Sequence, residues 1–159
     1  MKGHTHLLFA LVLGILYFDY FVGDIGLVLK LAFSAMLVIG ALLPDIDQQE
    51  SSASHKAPIL SGFVRLFSKH RGIMHSIWIP VAIFLLAKLV VVKFFNLPDL
   101  ILMGFLIGYS SHLLGDAITV QGINPIAPLH KFKIRGLMKT GGIIETIVGI
   151  LIVTFILVH

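Results

Sequence analysis

Residues 101–120 read ILMGFLIGYSSHLLGDAITV, and six residues near the end of that run, Ser111-His112-Leu113-Leu114-Gly115-Asp116, decide how the chain is understood. So apolar a run predicts a helix, and a helix brings positions i and i+4 onto one face with Cβ atoms about 5–6 Å apart. His112 and Asp116 then lie one turn apart among neighbours that are almost all apolar. Such a pair either holds a metal ion jointly or pairs internally, and the rest of the chain must choose between the two.

Composition sets the class. The chain has 159 residues, of which 57% are hydrophobic and 13% charged, and its mean hydropathy is +0.99. Soluble domains carry about 25% charged residues, so an ordinary soluble domain is excluded. The length, with no linker or low-complexity segment, predicts one domain over residues 1–159. There is no cysteine, which removes disulfides and thiolate ligands from consideration. The net charge of +4 comes from basic residues that flank apolar segments, and it reads as membrane topology rather than a nucleic-acid footprint. Neither a phosphate-cradling glycine loop nor a G-x-S-x-G elbow is present.

A helix that crosses a bilayer needs about 20 mainly apolar residues. Five segments fit, at about 6–23, 25–43, 76–95, 98–118 and 142–158. The expected fold is an all-α polytopic membrane helix bundle of about five transmembrane helices, the first of them retained rather than cleaved as a signal peptide. Residues 44–75 are polar to amphipathic, and Ile59, Leu60, Phe63, Val64, Leu66 and Phe67 predict a short helix lying at the interface. Gly104, Gly108 and Ser111 suit close helix packing.

The polar residues fall at the segment ends. His6 opens the first segment, Asp45 and Asp47 follow the second, His70 and His75 lead into the third, His112 and Asp116 close the fourth, and Glu145 begins the fifth. With five crossings, every one of these groups lands on the same side of the membrane, which argues for one assembled site. That side carries Lys2, Lys56, Arg65, Lys69, Arg71, Lys131, Lys133, Arg135 and Lys139, against Lys30, Lys88 and Lys93 on the other. Lysine and arginine are enriched in cytoplasmic segments, so the site and the N terminus are expected on the cytoplasmic side of the membrane. Lys30, Lys88 and Lys93 are expected to reach toward the far interface, where Asp19 and Asp24 are solvated.

Carboxylates and imidazoles without sulfur suit Zn²⁺, and also Mn²⁺ or Fe, as one ion or two. Ionisable groups within membrane helices mark functional sites by default. The arrangement predicts hydrolysis of a phosphoester at the cytoplasmic membrane surface, with membrane lipids as neighbours and a lipid-linked substrate at headgroup depth. Arg71 is the candidate for phosphate oxygens through its forked guanidinium, and Glu145 the candidate proton acceptor. The alternative is a non-catalytic scaffold or partner-binding protein whose helix ends a metal locks together. His130 with Lys131, Lys133 and Arg135 suits acidic lipid headgroups.

The order Thr5-His6, LPDID (43–47), HRGIMHS (70–76), SHLLGDAITVQG (111–122) and GGIIE (141–145) resembles the YdjM-like family. Its members are described as LexA-binding, inner-membrane-associated hydrolases, or as membrane-bound metal-dependent hydrolases. The resemblance covers nearly the whole chain, and HRG-x-x-HS combined with H-x-x-x-D-x-x-T-x-x-G carries its specificity. It implies metal ligation by His6, Asp45, Asp47, His70, His75, His112 and Asp116, a late acidic position at Glu145, an inner-membrane location and a LexA-type partner. Two positions depart from the family's pattern: Met74, where threonine is common, and Gln48, where a histidine often follows the aspartates. The H-x-x-x-D element is also similar to a ligand pair of zinc-dependent phospholipase C enzymes.

Overall fold

The computed structural model describes residues 1–47, 74–92, 94, 98–130 and 132–159, with only the backbone described at Ile46, Asp47, Val91 and Val92. The described residues are all-helical, without a strand. Helix α1, Gly3–Tyr17, runs on through a wide turn at Phe18–Val22, and α2, Leu27–Leu42, ends in a tight turn at Leu43–Asp47. Next come α3, Trp78–Ala87, with a wide turn at Lys88–Val92, then α4, Asp99–Ala117, and α5, Ile143–Val158. Pro44 explains where α2 stops, because proline lacks the N–H that would continue the ladder. Gly23 ends the α1 segment at φ 71°, and its N–H donates to the Phe18 carbonyl at 2.8 Å.

Among the described residues, three helical segments, Gly3–Val22, Leu27–Asp45 and Asp99–Ala117, are long and apolar enough to cross a membrane. This corrects the expectation of five full-length spans, since Trp78–Val90 and Ile143–Val158 are shorter apolar helices. At 1.5 Å per residue, a helix of about 16 residues reaches about 24 Å, against a hydrocarbon core of about 30 Å. Residues 74–77 form turns before α3 begins, and the Ile77 N–H donates to the Pro125 carbonyl at 2.9 Å. The interfacial helix expected near residues 59–67 lies outside the described residues.

The ends of the short helices are nevertheless level with those of the long ones. The Lys2 amide donates to Glu145 at 2.6 Å, and His159 meets Asp19 at 3.0 Å, so α5 runs parallel to α1 along its length. His75 approaches Asp116 at 3.5 Å and Lys88 pairs with Asp99 at 2.6 Å, which sets α3 antiparallel to α4. Lys30 pairs with Asp24 at 2.7 Å, and this ammonium holds the exposed Asp24 carboxyl below its usual range.

α2 packs most extensively on α4. A Cβ at Gly40 would stand 2.2 Å from the Phe105 carbonyl oxygen, and one at Gly108 would stand 2.1 Å from that of Leu37. Only glycine allows so close a crossing. Ala10, Phe33, Leu37 and Ala41 form one part of the core, and Phe105, Tyr109, Leu113 and Ile123 another. Close packing of α2 on α4 brings Asp45, just past the end of α2, beside the end of α4.

The connection from 119 to 141 is folded over the same end of the bundle. Val120 N–H donates to Met138 and Gly136 N–H to Thr119, each at 2.9 Å, while Ile123 and Ile134 exchange two bonds. Ile123, Ala127 and Met138 are buried beneath it.

Candidate metal centre

Asp116 stands at the centre of the converging groups. One carboxylate oxygen lies 3.2 Å from His6 Nε2; the other lies 3.5 Å from His75 Nε2 and 3.7 Å from His112 Nε2. Asp45 approaches His112 Nε2 at 3.6 Å. The imidazoles of His6 and His112 stack at 3.8 Å, and His75 meets His112 edge-on at 5.4 Å. The Met1 ammonium also reaches Asp116, at 2.6 Å. Four of the expected elements are therefore joined here, from α1, the turn after α2, the segment before α3, and α4.

Burial makes the arrangement informative. His6 and His112 are 0% exposed, His75 3%, Asp45 8% and Asp116 9%. Both ring nitrogens of His6, both of His75 and Nε2 of His112 are buried without a hydrogen-bond partner among the described residues. Buried polar atoms are nearly always satisfied, and leaving one unmade costs about 1–3 kcal/mol. Three imidazoles, each with one lone pair to give, around two carboxylates fit a cation that accepts lone pairs. Two sets place one ligand atom from each residue within 4.8 Å of one another: His6, Asp45 and His112, and His75, His112 and Asp116. His112 belongs to both.

Neighbouring residues fix these side chains. His112 Nδ1 lies 2.7 Å from the Ala41 carbonyl oxygen, which only accepts, so Nδ1 carries the proton and Nε2 keeps its lone pair toward the carboxylates. A Cβ at Gly115 would stand 3.1 Å from His6 Nδ1, so the glycine between His112 and Asp116 makes room for the His6 ring. The Tyr109 hydroxyl donates to the Met74 carbonyl and secures the segment that carries His75. That contact uses the backbone of residue 74, so it does not require the threonine common in the family. The Thr119 hydroxyl donates to the Asp116 carbonyl at 2.8 Å and accepts from the Gly122 N–H at 3.2 Å, which ties the end of α4 to the loop.

The other expected site residues lie elsewhere. Glu145 is buried, but its two oxygens accept the backbone N–H groups of Lys2 and Gly141, and it belongs to neither ligand set. It joins the start of α1 to the start of α5. His70 and Arg71 lie outside the described residues, as do Gln48 and the side chain of Asp47. Tyr109, Gly40 and Gly115 were not singled out from the sequence. A lone tyrosine within the apolar 101–110 run was the available signal for the first, whereas the glycine contacts depend on which helices meet.

Among known proteins, the description "YdjM inner membrane protein" matches residues 1–158. The chain is 36% identical over 112 residues to the uncharacterized protein YvsG of Bacillus subtilis (strain 168), covering 69% of this chain and 66% of that protein. It is 31% identical over 106 residues to the inner membrane protein YdjM of Escherichia coli (strain K12), covering 66% of this chain and 54% of that protein. The same figures hold for the inner membrane protein YdjM of Shigella flexneri. The match thus spans about two thirds of the Bacillus protein's length and about half of the Escherichia protein's. No solved structure matches the chain. Taken with the apolar helices and the buried histidine–aspartate cluster, the match over residues 1–158 shows that the chain belongs to the YdjM inner membrane protein family.

Proposed function

We propose that this protein is a membrane-bound, divalent-metal-dependent hydrolase of phosphoesters, acting at the cytoplasmic face of the membrane. The observation that carries the reading is the set of buried imidazole nitrogens around Asp45 and Asp116 that have no hydrogen-bond partner among the described residues. His6, Asp45, His75, His112 and Asp116 would hold the ion, with His70 and the Asp47 side chain as further ligands carried by the family resemblance. Zn²⁺ suits imidazole and carboxylate donors best, and Mn²⁺ and Fe²⁺ suit them next. A bound ion supplies Lewis acidity, ionising water near neutral pH and neutralising charge on phosphoryl oxygens.

The chain's own residues provide the rest. Asp45 and Asp116 are the bases that lie among the imidazoles. Glu145 can take a proton only by releasing the Lys2 or Gly141 amide, so its assignment as proton acceptor rests on the sequence alone. Arg71 remains the candidate for phosphate oxygens, since its guanidinium forms two parallel bonds where lysine forms one.

Topology follows from the paired helix ends. All five apolar helices cross the membrane in this reading, the short α3 and α5 being carried across beside α4 and α1. The excess of lysine and arginine in the segments expected at the cluster end supports a cytoplasmic position for that end and for the N terminus.

The test is turnover by metal-loaded protein, in detergent and in bilayers, against phospholipids, isoprenoid phosphates and a soluble phosphodiester. Asp45→Asn and Asp116→Asn should abolish it, and activity that survives both replacements would belong to a contaminant. The near-complete burial of all five groups favours a second reading. A closed ligand shell would lock the helix ends as a scaffold for a protein partner, the LexA-type partner that the family resemblance implies. Failure on all three substrate classes, with no water on the metal, would establish the scaffold over the hydrolase.

A further inference from the structure

Between α1 and α5 lies a groove of about 330 Å³ that the metal centre does not use. Successive positions on a helix turn by about 100°, so His4, on the groove, lies roughly opposite His6, which points to Asp116. The groove's long wall comes from one face of α5, where Thr146, Gly149, Ile150 and Val153 follow helical spacing. The Thr146 hydroxyl donates to the Gly142 carbonyl at 3.3 Å, and the Thr154 hydroxyl to that of Ile150 at 3.0 Å. With those hydroxyls turned onto their own helix, the wall is apolar along its length. At the end nearest the start of the chain, the groove meets Lys2 and His4, with Glu145 beside them, its two oxygens already engaged by the Lys2 and Gly141 amides. The Lys2 stem crosses Gly141, its Cε 3.2 Å from where a Cβ would stand.

Two comparisons within the molecule separate this groove from ordinary helix packing. Gly40, Gly104 and Gly108 are needed because backbone carbonyls press on them, whereas a Cβ on Gly149 would meet no atom within 4 Å. Glycine lowers helix stability by about 1 kcal/mol relative to alanine, and at Gly149 no close helix contact offsets that loss. Lys30 and Lys88 pair with Asp24 and Asp99, but Lys2 has no carboxylate partner among the described residues. The groove therefore joins an apolar channel along α5 to a cation that has no carboxylate partner among the described residues.

We propose that this groove is a binding site for an anionic phospholipid, with one acyl chain against Gly149, Ile150 and Val153 and the phosphate at Lys2 and His4. An acyl chain matches the apolar wall, a negative headgroup matches the Lys2 ammonium, and the surrounding bilayer supplies such a molecule at high local concentration. The site is separate from the metal centre and does not depend on hydrolysis.

The full chain in detergent, titrated with phosphatidylglycerol or with phosphatidylcholine of the same chains and weighed by native mass spectrometry, tests it. The wild type should retain one phosphatidylglycerol per chain at several-fold lower lipid concentration than phosphatidylcholine. Gly149→Leu fills open space and favours the helix, so the protein should stay folded while half-occupancy by either lipid shifts upward by about tenfold. Lys2→Gln should erase the preference for phosphatidylglycerol and leave phosphatidylcholine unchanged, since the Lys2 contact to Glu145 is made by its backbone. Unchanged occupancy in a folded Gly149→Leu protein would overturn the proposal. Equal displacement by soluble glycerol phosphate would also overturn it, because that would place all the binding at the headgroup.

Discussion

The Nδ1–H of His112 donates to the carbonyl oxygen of Ala41 at 2.7 Å, so α2 sets the tautomer of a histidine on α4. The remaining nitrogen, Nε2, faces both Asp45 and Asp116. One backbone carbonyl therefore turns the central imidazole into a ligand, and helix packing and metal affinity become properties of the same contact.

Because the ligands are assembled only in the folded bundle, metal should stabilise it. A ligand at 100 times its Kd adds about 2.7 kcal/mol to folding. Thermal unfolding of the detergent-solubilised protein should move upward as Zn²⁺ or Mn²⁺ is added. His112→Ala and Asp116→Ala should remove that movement and lower bound metal by elemental analysis. A wild type that binds no Zn²⁺, Mn²⁺ or Fe²⁺ would end the metal reading.

Gly115→Ala probes the room that α4 leaves for His6. The added methyl would stand 3.1 Å from His6 Nδ1 and 2.7 Å from Met1 Sδ, so the ring must shift. Disturbing the support of a ligand typically costs about 10–100-fold in metal affinity. Competition against a chromophoric chelator should show a loss of that order, while Gly3→Ala, which meets no atom within 4 Å, should show none. Equal affinity in the two variants would mean that His6 is not a ligand.

Much of this arrangement was legible in the sequence, for a physical reason. His112 and Asp116 are neighbours by helical geometry alone, and the polar segment ends fall on one side once the crossings are counted. Asp45 beside His112 is different, because that contact exists only after α2 and α4 cross at Gly40 and Gly108. The glycine pattern at 104 and 108 announced a close approach but not its partner. Tyr109 was hidden for the same reason, since its value lies in a carbonyl 35 residues away in the chain. The start of the third helix was set two residues early because hydropathy continues through residues 76 and 77, whereas the backbone there is held by Pro125 and the helix begins at Trp78.

Gly40→Ala tests whether the α2–α4 crossing carries the site. Its Cβ would lie 2.2 Å from the Phe105 carbonyl, a contact that must be relieved by moving the helices apart. Overpacking of this kind costs about 1–3 kcal/mol. The variant should unfold at lower temperature and also bind metal more weakly, because Asp45 moves with α2. Loss of stability with full metal affinity would show that Asp45 is not needed by the ion.

The last prediction concerns the two short helices. α5 begins level with Lys2 and ends with His159 against Asp19, at the far end of α1. Since α1 and its continuing turn are long enough to cross the membrane, α5 should deliver His159 to the opposite side from Lys2. The same logic places Lys88, paired with Asp99, opposite His75. The chain has no cysteine, so single cysteines can be introduced without background. In intact cells a membrane-impermeant maleimide should label His159→Cys and Asp24→Cys, while Lys139→Cys should react only after permeabilisation. Labelling of Lys139→Cys in intact cells would reverse the orientation read from the basic residues. Protection of His159→Cys alongside labelling of Asp24→Cys would mean that α5 does not cross, and would leave the bundle with its C terminus on the side of the metal centre.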